Sequence, residues 1–456
     1  MSARQLLVPL ALAQFICSFA GSNMNVMIND ISQDLDTTVK GVQTAITLFL
    51  LIMAILMIPG SKLTDRWGRK RCFVGGLTLY GIGALVSAVS PGLGVLILGN
   101  SVLEGVGTAL LIPPVYILTT LAFENVTSRA SAFGIISGAG GVGAAAGPLI
   151  GGLITDAISW RAAFVFQAVI VATIVLISRR LADPIAPDPT RPFDATGAVL
   201  SGAGLFFVVL AILQADTSGL LLAVLFLVGA VLLLLFGLHA HAKEQRGEEP
   251  LLSLTLFRNR TSNLGLITQN IQWLLLMGIS FVVSVFLQTV RDFDALKTGV
   301  IFTATTAGIL ISSLAAGRLA KRYAQRTLIR TGFVITIAGI GLLLGLVSAT
   351  SQNGIAFAPG LLTIGLGLGV MLTPSVNIVQ SSFPEGQQGE ISGLSRSISN
   401  LGSSLGTAIA GTILVSDLAS GNHTYVLAMI ALAVFALVGL AAALLLPAES
   451  RVPERA

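Results

Sequence analysis

Ser61-Lys-Leu-Thr-Asp-Arg-Trp-Gly-Arg-Lys70 closes one apolar run and opens the next. A weaker copy, Gly317-Arg-Leu-Ala-Lys-Arg-Tyr-Ala-Gln-Arg326, lies 256 residues further on and also separates two apolar runs. A second pair keeps nearly the same spacing. Gly105-Val-Gly107 with Pro114 and Gly365-Leu-Gly367 with Pro374 are 260 residues apart. Two pairs at almost one offset read as a duplicated helical unit; chance likeness between glycine-rich helices is the bland alternative. Duplicated bundles enclose a site between the copies near mid-membrane.

The chain around these runs is 54% hydrophobic and only 10% charged, against roughly 25% charged in a soluble domain. Its mean hydropathy is +0.89. A bilayer accommodates such a chain because lipid solvates the outer faces. Aromatic residues make up 6% and there are 50 glycines, so small residues carry the packing, as close helix contacts in lipid require. Fourteen runs reach spanning length: 6–28, 43–60, 73–90, 95–120, 132–155, 162–178, 196–214, 219–239, 263–289, 299–317, 331–350, 357–381, 391–415 and 425–446. Strict alternation is absent, which argues against a β-barrel. A twelve-span count competes, but it discards 196–214 and 219–239, both plainly apolar.

With the N-terminus placed in the cytoplasm, only Lys40, Arg161, Arg291 and Lys297 of the 26 Lys and Arg fall outside, and Arg396 lies within a span. That asymmetry predicts cytoplasmic N- and C-termini. The formal charge of +5 therefore reads as topology, not as a nucleic-acid surface. Cys17 and Cys72 are far apart and suggest no disulfide framework. No small-residue cleavage site follows Arg4, so the first run reads as a retained span. The expected organisation is an all-α, polytopic membrane protein: a six-helix bundle over 1–180, a linker with two additional helices and an amphipathic cytoplasmic stretch over 181–262, a second six-helix bundle over 263–447, and a cytoplasmic tail, 448–456.

Leu63-Thr64-Asp65-Arg66-Trp67-Gly68-Arg69-Lys70, between spans 2 and 3, is similar to the corresponding loop of the major facilitator superfamily. Gly138-Ala-Gly140-Gly141-Val-Gly143-Ala-Ala-Ala-Gly147-Pro148-Leu-Ile-Gly151-Gly152 resembles the antiporter motif of its exporters. Its glycines leave a smooth face for another helix, and Gly147-Pro148 permits a kink. Trp160-Arg161-Ala-Ala-Phe164, Arg191-Pro192-Phe193-Asp194, Glu249-Pro-Leu-Leu252 with Leu256-Phe257-Arg258-Asn259, and Gly393 with Gly402 and Gly406 agree with the fourteen-helix drug:proton antiporter family of that superfamily. The resemblance covers nearly the whole chain. It implies the major facilitator fold and a secondary transporter working by alternating access. It makes Asp65, Arg66, Gly68, Arg69 and Lys70 a gate loop, and Gly143, Gly147, Pro148, Gly151 and Gly152 the antiporter-motif helix. Ser61 departs from the usual glycine.

An ionisable residue within a span is costly and is a functional candidate by default. Glu104 stands in an apolar stretch, Val102-Leu103-Glu104-Gly105. Desolvation acts on a carboxyl's charged form, so changing hydration can load and release a proton there; a structural hydrogen bond is the other reading. Asp30, at the outer end of span 1, either assists or is solvated. Arg396 either faces the cavity or snorkels to the cytoplasm. Helix 1 of the family usually carries an Asp where this chain has Ala20, and helix 4 an Arg followed by Gln-Gly where it has Ser101-Val-Leu-Glu104-Gly105. Both partners of an acid–base pair are thus replaced, which moves the proton to Glu104 or removes the coupling.

Candidate cavity residues are Gln14, Asn23, Asn25, Gln43, Thr47, Gln269, Asn270, Gln272, Gln288, Asn377, Gln380 and Arg396. A cavity poor in fixed charge suits small lipophilic or amphiphilic substrates. The expected function is export of lipophilic or cationic drugs in exchange for protons; the alternative is a lipid or metabolite exporter with weak or no coupling. No Walker-type loop is present, and His239, His241 and His423 have no ligand-spaced partners for a metal. The chain is therefore read as no enzyme, without cofactor beyond the proton, a monomer in the cell membrane among its lipids.

Overall fold

The computed structural model describes residues 3–447 apart from 124–125, 180, 182, 184–185, 216–217, 320–321, 350–353, 385–386 and 416–421; the expected tail 448–456 lies outside the described residues. Among the described residues every regular element is helical. The long helices are α1 (Gln5–Asp34), α2 (Val39–Trp67), α3 (Arg69–Ala88), α4 (Leu93–Ala122), α5 (Val126–Ala157), α6 (Trp160–Ser178), α7 (Ala195–Leu213), α8 (Gly219–Gln245), α9 (Arg260–Val290), α10 (Ala295–Leu319), α11 (Gln325–Ala349), α12 (Ala358–Gln380), α13 (Gln388–Val415) and α14 (Asn422–Leu444). With each of these long helices taken as one crossing, α14 ends on the side where α1 begins, called here the terminal face; the opposite side is the far face.

Thirteen helices in the described residues are long and apolar enough to cross a bilayer. The helix not among them is α13. It is rich in serines, and Ser395, Ser397, Ser399, Ser403 and Ser404 are all buried. Several of those hydroxyls bond neighbouring helices: Ser397 Oγ donates to the Ala54 carbonyl (2.6 Å), Ser404 Oγ to the Thr47 carbonyl (3.1 Å) and Ser395 Oγ to Gln269 (2.9 Å), while Ser403 bonds back within α13. A helix enclosed by other helices needs less apolar surface than one facing lipid, which lowers its mean hydropathy.

Helix limits follow local chemistry. Thr38 caps α2, Ser159 caps α6, Ser218 caps α8 and Asn259 caps α9, each side chain accepting a first-turn N–H. Between α2 and α3, Gly68 turns the chain at φ +98°, a conformation that glycine alone adopts cheaply.

Helices α1–α6 pack on one another, as do α9–α14. The two groups meet mainly along α5 against α10 and α2 against α13. Helix α7 lies over the second seam, where Leu51, Val209, Leu213 and Ala408 form a cluster joining α2, α7 and α13. Thr412 of α13 also donates to the Ile212 carbonyl of α7 (3.1 Å). Helix α8 packs on α7 and leaves most of its surface outward; Leu220, Leu227, Leu234 and Leu238 are exposed, as lipid contact requires.

Candidate functional site

The glycines of α5 lie along α1. A methyl group added at Gly143 would meet the Phe15 carbonyl, one at Gly147 the Ser22 hydroxyl, and one at Gly151 the Asn23 side chain. Spaced four apart, they form one helix face. Gly152 turns the other way, onto the Ala295 carbonyl of α10, while the Pro148 carbonyl faces Gly299. The motif helix therefore contacts its own bundle on one side and the opposite bundle on the other.

At the far face the bundles are joined by hydrogen bonds. Gln288 of α9 accepts from the Asn29 backbone N–H (3.0 Å) and donates to the Asn25 carbonyl (2.9 Å). Gln288 lies in the π-helical turn Phe286–Val290. Asp30, close by, is part-buried and within electrostatic reach of Asp156 and Asp294.

Glu104 sits at the end of a second π-helical segment, Ile97–Glu104, a distortion often found at functional sites. It is fully buried. It packs against Gly83 of α3, and the hydroxyls of Tyr80 and Ser87 face it. Neither carboxyl oxygen has a hydrogen-bond partner among the described residues. Tyr80 hydrogen-bonds Gln167 of α6. Glu104 thus points into its own bundle, toward α3, and not at the seam.

Arg396 does not reach the terminal face. Its guanidinium lies 4.8 Å over the ring of Tyr116 on α4, across the seam. Tyr116 donates to Gln14 of α1 (3.3 Å). Cys17, also on α1, is within electrostatic reach of both Glu104 and Arg396.

Several other cavity candidates are engaged in helix–helix bonds. Gln43 donates to the Thr407 and Ala408 carbonyls across the α2–α13 seam (3.3 and 3.1 Å). Gln269 bonds Ser395 and Ser399, Asn270 donates to the Ile398 carbonyl, and Gln272 to the Leu368 carbonyl. Gln380 reaches Ser392 (3.4 Å). Asn23 and Thr47 are buried with unpaired side-chain polar atoms among the described residues, as is the Asn25 amide oxygen. Asn377 is exposed.

On the terminal face Asp65 accepts from Arg69 (2.5 Å) and from Arg191 of the linker (2.6 Å). The Lys70 ammonium donates to the Arg179 carbonyl (3.1 Å), and its backbone N–H donates to Asp183 (3.2 Å). Arg66 lines a recess of about 460 Å³ with Trp67, Arg71, Pro187 and Pro189. The linker also spans the bundles: Lys62 pairs with Glu249 (3.0 Å), and Ser253 N–H donates to Glu390 of α13 (2.8 Å).

Asp194 was legible only as part of a motif, yet it organises the inserted pair. It caps α7 through Gly197 N–H (3.0 Å) and accepts from His239 (2.9 Å) and Leu251 N–H (3.1 Å), with Lys243 at 3.7 Å. Burial pushes its carboxyl up, but these hydrogen bonds and the lysine outweigh it and hold the group below its ordinary range. Tyr116 and the serines of α13 were also missed. A lone Tyr or Ser in an apolar helix carries no signal until its neighbour is known.

The family model of the Major Facilitator Superfamily matches residues 10–215, 195–407 and 274–456. Among curated proteins, the chain is 29% identical to the puromycin resistance protein pur8 of Streptomyces alboniger, over 89% of this chain and 81% of that one. It is 29% identical to the drug efflux pump JefA of Mycobacterium tuberculosis, over 91% and 82%. It is 28% identical to the probable actinorhodin transporter of Streptomyces coelicolor, over 88% and 70%. Among solved structures, a POT family transporter superposes with a TM-score of 0.69 at 17% identity, covering 95% of each chain, which supports the fold alone. The chain belongs to the Major Facilitator Superfamily and is a multi-pass membrane transporter, not an enzyme.

Proposed function

We propose that this transporter exports lipophilic or amphiphilic small molecules from the cytoplasm in exchange for protons, by alternating access, with Glu104 carrying the coupling proton. The drug efflux and resistance relatives support the direction and the substrate range. The Lys and Arg distribution supports a terminal face turned to the cytoplasm, and export from the cell would place the protein in the cell membrane. Asp30, at the far-face mouth, would gather protons on their way in. The protein would work as a single chain among membrane lipids, with the Asp65 loop as its gate.

One observation carries the coupling assignment: Glu104 is a fully buried carboxyl with both oxygens unpaired among the described residues, at the end of a π-helical segment. A group so placed exchanges a proton only when the helices around it move or hydrate, which links protonation to conformation. In proteoliposomes, Glu104→Gln retains substrate binding and downhill exchange but loses accumulation driven by an imposed pH gradient. Accumulation at the wild-type rate in that variant would remove Glu104 from the mechanism. Wild-type export indifferent to the gradient would favour an uncoupled lipid or metabolite exporter.

A further inference from the structure

We infer that Arg396, Tyr116 and Gln14 form a subsite for an amphiphilic organic anion, one that carries a carboxylate or phenolate on an apolar frame. This rests on the exporter reading and adds a substrate class to it.

Three helices from both bundles build the cluster. Arg396 lies about 12 Å along α13 from Gln388, at roughly 1.5 Å per residue. Its guanidinium caps the Tyr116 ring at 4.8 Å, and Tyr116 is held by Gln14 at 3.3 Å. Gln14 is in turn bonded to Ser18 (3.3 Å) and packed against Gly140 of α5. Arg396 and Tyr116 are both part-buried, so surface remains accessible on each although neither stands at a helix end. Among the described residues no Asp or Glu carboxylate lies within 4.0 Å of the guanidinium. Its helix neighbours Ser395, Ser397 and Ser399 are neutral.

A guanidinium held inside a membrane protein without a carboxylate is costly, and such residues line substrate paths. The aromatic face offsets part of the charge but leaves the planar fork of N–H donors available. That fork matches carboxylate and phenolate oxygens. The flanking α4 residues Ile112, Pro113, Pro114 and Val115 are apolar and buried, so the charge stands beside a dry helix wall, where an anion with an apolar frame is favoured over a strongly hydrated inorganic one. Tyr116 holds the guanidinium in place and Arg396 supplies the charge.

Fluorescein and rhodamine 123 test this, because they share a xanthene frame and carry opposite charge. The purified full-length transporter is reconstituted and initial rates of both dyes are measured. The wild type transports fluorescein. Arg396→Gln raises its KM by tenfold or more and changes rhodamine 123 transport less than twofold; Arg396→Lys restores part of the loss. Equal slowing of both dyes by Arg396→Gln would make the residue a gate or packing element and overturn the subsite. Wild-type transport of rhodamine 123 without fluorescein overturns the anion assignment and leaves the exporter reading intact. Transport of neither dye overturns the subsite as one for such anions; absence of export for every substrate in the proteoliposome flux assay is what sinks the exporter reading. Should Arg396→Gln not fold, the wild-type dye preference and Arg396→Lys decide on the same terms.

Discussion

Gln288 is the clearest place to test how the bundles are held. Its amide makes both hydrogen bonds that tie α9 to the far end of α1, at 3.0 and 2.9 Å, and it is buried. Gln288→Ala removes both without touching the terminal face. Each neutral hydrogen bond contributes about 0.5–1.5 kcal/mol, so the far-closed arrangement loses roughly 1–3 kcal/mol. That corresponds to about a 5- to 150-fold shift toward far-open conformations. Spin labels at Gln33 and Lys297, exposed far-face positions on opposite bundles, report the change. The buried cysteines Cys17 and Cys72 are first replaced by Ala. Double electron–electron resonance should then show a short distance in the parent and a second, longer population in Gln288→Ala. An unchanged distance distribution together with unchanged transport would mean that the α5–α10 contact alone closes the far face.

Two further outcomes follow from the terminal face. Asp65→Asn should cut transport several-fold with little loss of thermal stability, because its ion pairs with Arg69 and Arg191 are partly solvated and each contributes about 1 kcal/mol at most; wild-type flux would reduce the loop to a topology signal. Asp194→Ala should cost about 1–3 kcal/mol, since it removes the buried carboxylate that accepts from Gly197 N–H, Leu251 N–H and His239. Because the folded carboxyl titrates below its ordinary range, its contribution is complete above pH ~4 and is lost as pH falls through the folded value. Thermal melts of detergent-solubilised protein should show that acid loss in the wild type and not in Asp194→Ala.

The spans were legible because a bilayer imposes a long apolar run on each crossing, and the glycine motif was legible because only glycine allows the α5–α1 approach at Gly143 and Gly147. The polar residues were harder. Gln43, Gln269 and Gln288 look alike in sequence, yet Gln269 fastens α9 to α13 within one bundle, Gln43 crosses the α2–α13 seam, and Gln288 bridges the bundles at the far face. Partners some 130 to 365 positions apart decide the difference, and no local pattern encodes them. The π-helical turns at Glu104 and Gln288 were equally hidden, since one extra residue per turn leaves an apolar run apolar. Arg396 was left between cavity and cytoplasm until Tyr116 was seen to hold it.

The two faces are tied in different ways, and that bears on which can open first. The far-face link is short: a buried amide on two backbone groups, beside glycine-to-backbone contacts at Gly152 and Gly299. Such contacts tolerate little sliding, so separating the bundles there breaks them together. The linker contacts at the terminal face use Lys62, Glu249 and Glu390, with Glu249 well exposed. Long solvated side chains can follow a displacement and re-form. Rocking about the mid-membrane seam would therefore break the far-face contacts sharply and strain the linker gradually. In that geometry α1 is the shared part: it carries Asn25 and Asn29 at the far face, Gln14 at the Arg396 cluster, and Cys17 within reach of Glu104. A shift of α1 moves the environment of the candidate proton site and the candidate substrate site at once, as exchange between the two requires.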